Sequence, residues 1–375
     1  MHDETLPGTD LSFADRLDDM LDDLRALVEC ESPSSDQDAL ARSADLVADL
    51  GTRLLGAEPE RLGIHLRWRL GGPTRVLVLA HHDTVWPLGS LRTHPFGVTD
   101  GVLRGPGSFD MKTGLVMALH ALASLGDRTG VTLLVTGDEE LGSPSSQALI
   151  EDEARGADAA LVLEASADGG ALKLERKGTS IYEVVLTGRA AHAGLEPEKG
   201  VNASVELAHQ VLAVAALGDP GLGTTVVPTV AAAGTTRNTV PATASFAVDV
   251  RARTVAEQVR VDTALRALEP VLPGAAVTIE GGINRPPLER ALSADLFARA
   301  ERLAADAGLP PLTGVAVGGA SDGNFAAGVG TPTLDGLGAV GGGAHADHEH
   351  VLVDRIPDRT ALLRALLVDL LPAAA

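Results

Sequence analysis

The sequence predicts an α/β fold with a mostly parallel central sheet, interrupted by an inserted α+β unit of ferredoxin-like type. Three observations carry this. Short apolar runs at Val76–Ala80, Val131–Thr136 and Ala159–Leu163 read as strands buried on both faces. Helical patterns alternate with them, as βαβ units require. From about 175 to 284 the texture changes to the order β-α-β-β-α-β, a self-contained sandwich.

The elements follow in order. Phe13, Leu17, Met20, Leu21, Leu24, Leu27 and Val28 recur at spacings of three and four, which predicts a helix over about 10–29. Ser35 or Asp36 then caps a second helix reaching about Leu50. A strand near 63–70 precedes Val76–Ala80. The run THPFGVTDGVLRGPGSFDMKTG, dense in glycine and proline, reads as a long loop. Helices over about 112–125 and 143–154 flank the next apolar strand. In the inserted unit, Ile181–Thr187, Thr225–Ala233, Ser245–Arg251 and Ala275–Glu280 read as strands, with helices at 203–217 and 255–268. A helix over about 292–307, a glycine-rich run and a final helix, Arg359–Leu371, return to the first pattern.

At 375 residues the chain exceeds one compact core, so two domains are expected: 1–174 with 285–375, and 175–284 between them. Hydrophobic residues make up 45% but aromatics only 2%, so Ala, Val and Leu must fill the core. A net charge of −21 argues against nucleic-acid binding, which depends on neutralising phosphates, and is compatible with binding cations. The single cysteine, Cys30, excludes an internal disulfide and a multi-cysteine metal site, and is expected to be a small buried side chain. The acidic start MHDETLPGTD lacks the basic and apolar regions of a signal peptide. No apolar run reaches membrane-spanning length. The expectation is a soluble cytoplasmic protein without membrane partners.

The three apolar strands end on ligand-type residues. Val76–Ala80 runs into His81, His82 and Asp83; Val131–Thr136 into GDEELGS with Glu139 and Glu140; Ala159–Leu163 into Glu164. Open α/β sheets bind ligands beyond the carboxyl ends of their strands. Taken alone, the His81–Asp83 stretch reads equally well as a polar loop, and a Glu-Glu pair reads more readily as a solvated surface; their recurrence at strand ends favours a shared centre. Asp110 and one or more of His345, His348 and His350 are further candidates. Imidazole and carboxylate without thiolate suit Zn²⁺, with Co²⁺ or Mn²⁺ as substitutes. The number of acids exceeds one tetrahedral ion and suits two ions sharing a carboxylate, roughly 3.5–4 Å apart. One carboxylate must remain to accept a proton, and neighbours in Glu139–Glu140 point in different directions. A phosphate or dinucleotide site is not supported, because neither fingerprint is present.

Together His81-x-Asp83, GPGSFDMK, GDEELGS, Glu164, AAHAG and GAHADHE resemble the M20 zinc-peptidase family, and within it the glutamate carboxypeptidase (carboxypeptidase G2-like) branch. The resemblance covers almost the whole chain in order. It implies a zinc-peptidase-like catalytic domain in two parts, 1–174 and 285–375, with a lid or dimerisation domain at 175–284, a homodimer, and two Zn²⁺ per subunit. Asp110 would bridge the ions, with His81 and Glu164 on one side and Glu140 and His345 on the other. Glu139 would be the general base and acid, and Asp83 would fix the tautomer of His81. His192 would reach the partner subunit's site and polarise the scissile carbonyl, while Asn238 and Arg285 would contact substrate, the arginine pairing with its carboxylate. The implied activity is release of a C-terminal amino acid, glutamate among the candidates, from a peptide or N-acyl amino acid. The alternative is a deacylase of the acetylornithine, succinyl-diaminopimelate or aminoacylase type.

Two departures stand out. Met111 occupies a position where that branch carries a second acid, and Lys173 to Lys177 do not align with its substrate-side lysine. Of the remaining histidines, His82 is expected to point away from the site, and His94 to lie in a loop. His120 and His209 read as packing or surface groups, His348 and His350 as solvated or supporting ones, and His2 and His65 carry no signal.

Overall fold

The computed structural model describes residues 13–371; His2 and the start of the expected first helix lie outside the described residues. The chain forms two compact units. Among the described residues, the first comprises those up to 174, 290–316 and those from 321 onward, and the second 175–289 with 317–320.

In the first unit, α1 (Leu17–Glu29) and α2 (Gln37–Leu55) open the chain. The Asp36 side chain accepts from Ala39 N at 2.9 Å, satisfying a free amide of the first turn of α2. Strands β1 (Glu60–Leu62), β2 (His65–Arg69), β3 (Val76–His81), β4 (Val131–Thr136) and β5 (Ala159–Val162) build the central sheet. Its order is β1-β2-β4-β3-β5, closed by the short strand Thr333–Leu334. The pairs β3–β4 and β3–β5 are parallel, and so is the last; β1 and β2 add an antiparallel edge.

Helices α3 (Thr113–Ala123) and α4 (Gln147–Ala154) follow β3 and β4 in the chain. Every residue of β3 is buried. Val76, Val78 and Ala80 join one core with residues of α1, α2 and α3, while Leu77 and Leu79 join another with Ile150 and Ala154 of α4. That double burial explains why β3 reads as a continuous apolar run rather than an alternating one.

The second unit has β6 (Gly178–Thr187), α5 (Ala203–Ala215), β7 (Thr225–Ala233), β8 (Thr243–Ala252), α6 (Val255–Arg266) and β9 (Ala276–Arg285). Its four main strands form an antiparallel sheet in the order β7-β8-β6-β9. Tyr182, Val184, Leu186, Phe246, Val248 and Val250 fill one face against Ala203, Val214, Val261 and Leu265 of the two helices. This is the expected β-α-β-β-α-β sandwich. Strand β9 is longer than expected and ends on Arg285, because its pairing with β6 continues through Arg285↔Thr179.

The chain returns to the first unit with α7 (Ala294–Asp306), α8 (Gly323–Gly328) and α9 (Ile356–Leu370). Among the described residues no helix is long and apolar enough to cross a membrane.

The segment read as a long loop contains a hairpin instead. Gly97–Thr99 pairs with Val102–Arg104 across Asp100 and Gly101, both at positive φ (51° and 76°), the geometry a two-residue Asp-Gly turn adopts. Val102–Arg104 then pairs with His350–Leu352, which brings the C-terminal glycine-rich segment beside Asp110. Cys30 is half-buried rather than enclosed, because it sits just past the end of α1.

Candidate metal centre

The centre is built where strands of the central sheet end. His81 closes β3 and is 1% exposed. Its Nδ1 lies 3.0 Å from the main-chain oxygen of Asp83 and 3.3 Å from Asp83 Oδ1. Its Nε2 has no hydrogen-bond partner, yet stands 3.4 Å from Asp110 Oδ1 and 3.4 Å from Glu164 Oε1. A buried imidazole nitrogen facing two carboxylate oxygens at that distance is a donor set that could hold a metal cation.

On the other side of Asp110, Oδ2 lies 3.3 Å from His345 Nε2, which is also 3.1 Å from Glu140 Oε2. Two triads result, His81–Asp110–Glu164 and Asp110–Glu140–His345, each with its donor atoms within 4.8 Å of one another. Asp110 offers one oxygen to each.

Electrostatics point the same way. Burial alone would lower His81, but the neighbouring carboxylates of Asp110, Asp83 and Glu164 raise it well above the ordinary imidazole range. His345 is pushed up to about 10, chiefly by Asp110 and Glu140. Burial opposes ionisation of Asp110, but His345 and His81 hold it well below the usual carboxylate range. Burial and the charge of Asp110 raise Glu140. The cluster favours positive charge at its middle.

The supports are as informative as the donors. Asp83 is fully buried and accepts from Ser34 Oγ (2.7 Å) and from the amides of Glu139 and Glu140 (both 3.2 Å). It therefore fixes the Glu139–Glu140 turn as well as His81. Asp138, just before that turn, accepts from Ser145 N, Ser145 Oγ and Ser146 Oγ. Glu139 itself is 7% exposed.

The Asp110 turn is anchored by Lys112, whose buried Nζ donates to Leu27 O (2.9 Å) and Cys30 O (3.0 Å) at the end of α1. Burial pushes this lysine down to about 8. Met111 is buried, its Sδ 3.3 Å from His81 N, so the position that departs from the family pattern is a packing group. Gly107 has φ of 69°, and a Cβ there would overlap Thr84.

Sequence reasoning missed several supports. Glu349 is 3% exposed and accepts from Gly107 N, Phe109 N, Asp110 N and Trp86 Nε1. In HADHEH it was indistinguishable from a solvated acid. Lys173 Nζ lies 3.9 Å from Glu164 Oε2. The buried guanidinium of Arg359 donates to the carbonyls of Gly338, Gly170 and Gly336, and burial pushes it down to about 10. Gly338 N in turn donates to Glu164 O at 2.8 Å.

The other histidines separate cleanly. His82 turns to Ser43 Oγ (3.0 Å) and Ile64 O (2.9 Å), and burial lowers it to about 4. His120 is buried with Asp23 at 2.9 Å. His65 has a place after all: it is buried, accepts from Gly137 N (3.1 Å) and meets Ser145 Oγ (3.0 Å). Its buried position in a five-residue strand leaves no mark on the local pattern.

His192, Asn238 and Arg285 belong to the second unit. The first two are neighbours there: His192 pairs with Thr239, and Ala193 N donates to Asn238 O at 2.9 Å. The Nδ1 of His192 accepts from Gly194 N and Leu195 N, both at 3.1 Å. Arg285 is buried at the end of β9, its main-chain oxygen accepting from Gln258 Nε2 at 2.9 Å.

Comparison with known proteins agrees with this architecture. The model of peptidase family M20/M25/M40 matches residues 77–369. The chain is 34% identical to carboxypeptidase G2 of Pseudomonas sp. (strain RS-16) over 312 residues, covering 80% of this chain and 74% of the relative. It is 29% identical over 384 residues to a succinyl-diaminopimelate desuccinylase of Methylorubrum populi, covering 91% and 96%. Among solved structures, aminopeptidase PepT from Bacillus cereus shares the fold with a TM-score of 0.73 at 22% identity, covering 94% and 98%. An M20 family metallo-carboxypeptidase from Sulfolobus solfataricus does so with a TM-score of 0.72 at 17% identity, covering 93% and 98%. Donor set, fold and sequence converge, and the chain belongs to peptidase family M20/M25/M40, as a metallopeptidase/amidohydrolase.

Proposed function

We propose that the protein is a dinuclear zinc-dependent hydrolase that cleaves an amide bond to release a C-terminal amino acid from a peptide or N-acyl amino acid. The observation that carries this reading is Asp110, whose two carboxylate oxygens face two separate triads. His81 and Glu164 complete one half and Glu140 and His345 the other. Zn²⁺ held there, or Co²⁺ or Mn²⁺ in its place, supplies polarisation of the scissile carbonyl and activation of water at neutral pH.

Glu139 takes the proton from the attacking water and returns it to the leaving nitrogen. Its main-chain amide is tied to Asp83, which supports a fixed position for its carboxylate. Asp83 holds the His81 ring with Nδ1 inward and Nε2 facing the centre. His192 stabilises the oxyanion. In support, two backbone amides point at its Nδ1, so a neutral ring carries its proton on Nε2 and offers a donor there. Arg285 and Asn238 contact the substrate, the guanidinium pairing with its carboxylate.

The domain reading assigns catalysis to 1–174 and 285–375 and a lid to 175–284. The compact units support it by changing over at residues 174–175 and again at 289–290. We further propose a homodimer formed through the lid and a cytoplasmic location. A deacylase acting on succinyl-diaminopimelate or a similar N-acyl amino acid is the second reading. It is favoured by the likeness to a desuccinylase across nine-tenths of the chain.

A hydrolysis screen on zinc-loaded protein separates the two readings by comparing N-acyl amino acids with dipeptides ending in Glu, Gly or Ala. Solution mass measured alongside tests the dimer. Glu139→Ala should keep its metal content and lose about 10²–10⁴-fold in kcat. Wild-type turnover in that variant would overturn the assignment of the base.

A further inference from the structure

Glu349 has a geometry that packing alone does not require. Its Oε1 accepts from Phe109 N (2.8 Å) and Asp110 N (3.1 Å), and its Oε2 from Gly107 N (3.0 Å) and Trp86 Nε1 (2.6 Å). Four N–H donors converge on one buried carboxylate. Three of them are the main chain of the turn that presents Asp110, some 240 residues earlier in sequence.

Glu349 also belongs to the turn that carries His345. Ala346 N donates to Gly343 O at 3.0 Å, and Glu349 N to Ala346 O at 2.9 Å, so residues 343–349 fold back on themselves. His345 sits in that turn with a φ of 61°, the left-handed region that a non-glycine residue adopts only when its surroundings hold it there. One side chain therefore joins the backbone behind Asp110 to the backbone behind His345, whose facing atoms are 3.3 Å apart.

We infer that Glu349 is a positioning residue that clamps the Asp110 turn to the His345 turn and so sets the affinity of the Asp110–Glu140–His345 half for its cation. This rests on the proposal that these residues hold metal. The carboxylate is the group the task needs. A neutral amide places an NH₂ where one oxygen now accepts two N–H bonds, leaving donors facing donors. Trp86 contributes one of the four bonds and no main-chain anchor, so its loss should weaken the clamp without opening it.

The test is zinc titration of metal-free protein, wild type against Glu349→Gln, Trp86→Phe and Asp110→Asn, with kcat and KM measured on the loaded forms. Wild type should bind two zinc ions per chain. Glu349→Gln should hold one with near-wild-type affinity and the second about 10–100-fold more weakly, with kcat falling and KM little changed. Trp86→Phe should show a smaller loss at the same ion. Two ions bound with wild-type affinity by a folded Glu349→Gln would overturn the inference, as would a loss of activity with both affinities intact.

If Glu349→Gln does not fold, hydrogen exchange on the metal-free wild type decides. The amides of Gly107, Phe109 and Asp110 should be protected before any metal is added, and exchange at unstructured rates would overturn the clamp. Asp110→Asn keeps the two levels apart. If that variant binds both ions normally, the metal reading fails and the inference with it. If it loses zinc while Glu349→Gln does not, the clamp alone fails.

Discussion

The two halves of the centre contain the same kinds of donor but are built differently. His81 and Glu164 stand at or just past the ends of adjacent parallel strands, locked by the sheet and by double burial, and the His81 side chain is 2% exposed. His345 lies on a glycine-flanked turn, and its side chain is 50% exposed. Strand ends give a preorganised site at little further cost in conformational entropy. A turn gives one only when something else holds it. On the proposed metal assignment, the difference predicts that stability and metal affinity are coupled on one side of Asp110 and separable on the other.

The largest expected effect removes the comparison altogether. Asp110→Asn takes a charge from both triads, so metal analysis should find both ions lost or weakened by about 100-fold or more, beyond the cost of losing an outer support. Retention of one tight ion would show that the halves are independent.

Next, His81→Ala and His345→Ala should diverge. The first leaves Asp110 and Glu164 buried together without their imidazole, so thermal unfolding should come earlier as metal is lost. The second should keep its unfolding temperature in the metal-free form and lose one ion. Equal destabilisation by both would break the contrast.

A smaller effect is expected from Asp83→Asn, because Asp83 supports His81 on one side and the Glu139–Glu140 turn on the other. Both metal affinities and kcat should fall together, by about 10–100-fold.

The smallest concerns the second unit. Glu257 is held down to about 2, first by Arg260 and then by Thr224 Oγ1. A carboxyl depressed in the folded state stabilises above its unfolded value near 4.5 and loses that contribution as pH falls toward 2. Glu257→Gln should therefore be less stable than wild type at neutral pH, with the gap closing below about pH 4. Zinc affinities should not change.

What could be read from sequence follows the same contrast. Strands β3, β4 and β5 announce themselves because burial on both faces demands apolar runs, and each hands its ligand-type residues to a predictable place. The hairpin at Gly97–Thr99 and Val102–Arg104 does not, since three-residue strands carry almost no periodicity. Its Asp100–Gly101 pair was the one local signal available. Glu349 had no signal, because its partners are main-chain amides roughly 240 residues away and pairing of that kind leaves no trace in a single sequence. Arg285 carries no local signal and enters only through the family resemblance; the strand read as ending at Glu280 pairs on to Arg285, the last residue before Pro286 and Pro287.

The order of the ligands along the chain has a consequence for biosynthesis. His81, Asp110, Glu140 and Glu164 all precede the second unit, whereas His345 and its clamp Glu349 follow it. At 5–20 residues per second the last donor leaves the ribosome roughly 10–40 s after Glu164. On the proposed metal assignment, a growing chain would carry one complete triad for that interval while the other waits for its final member.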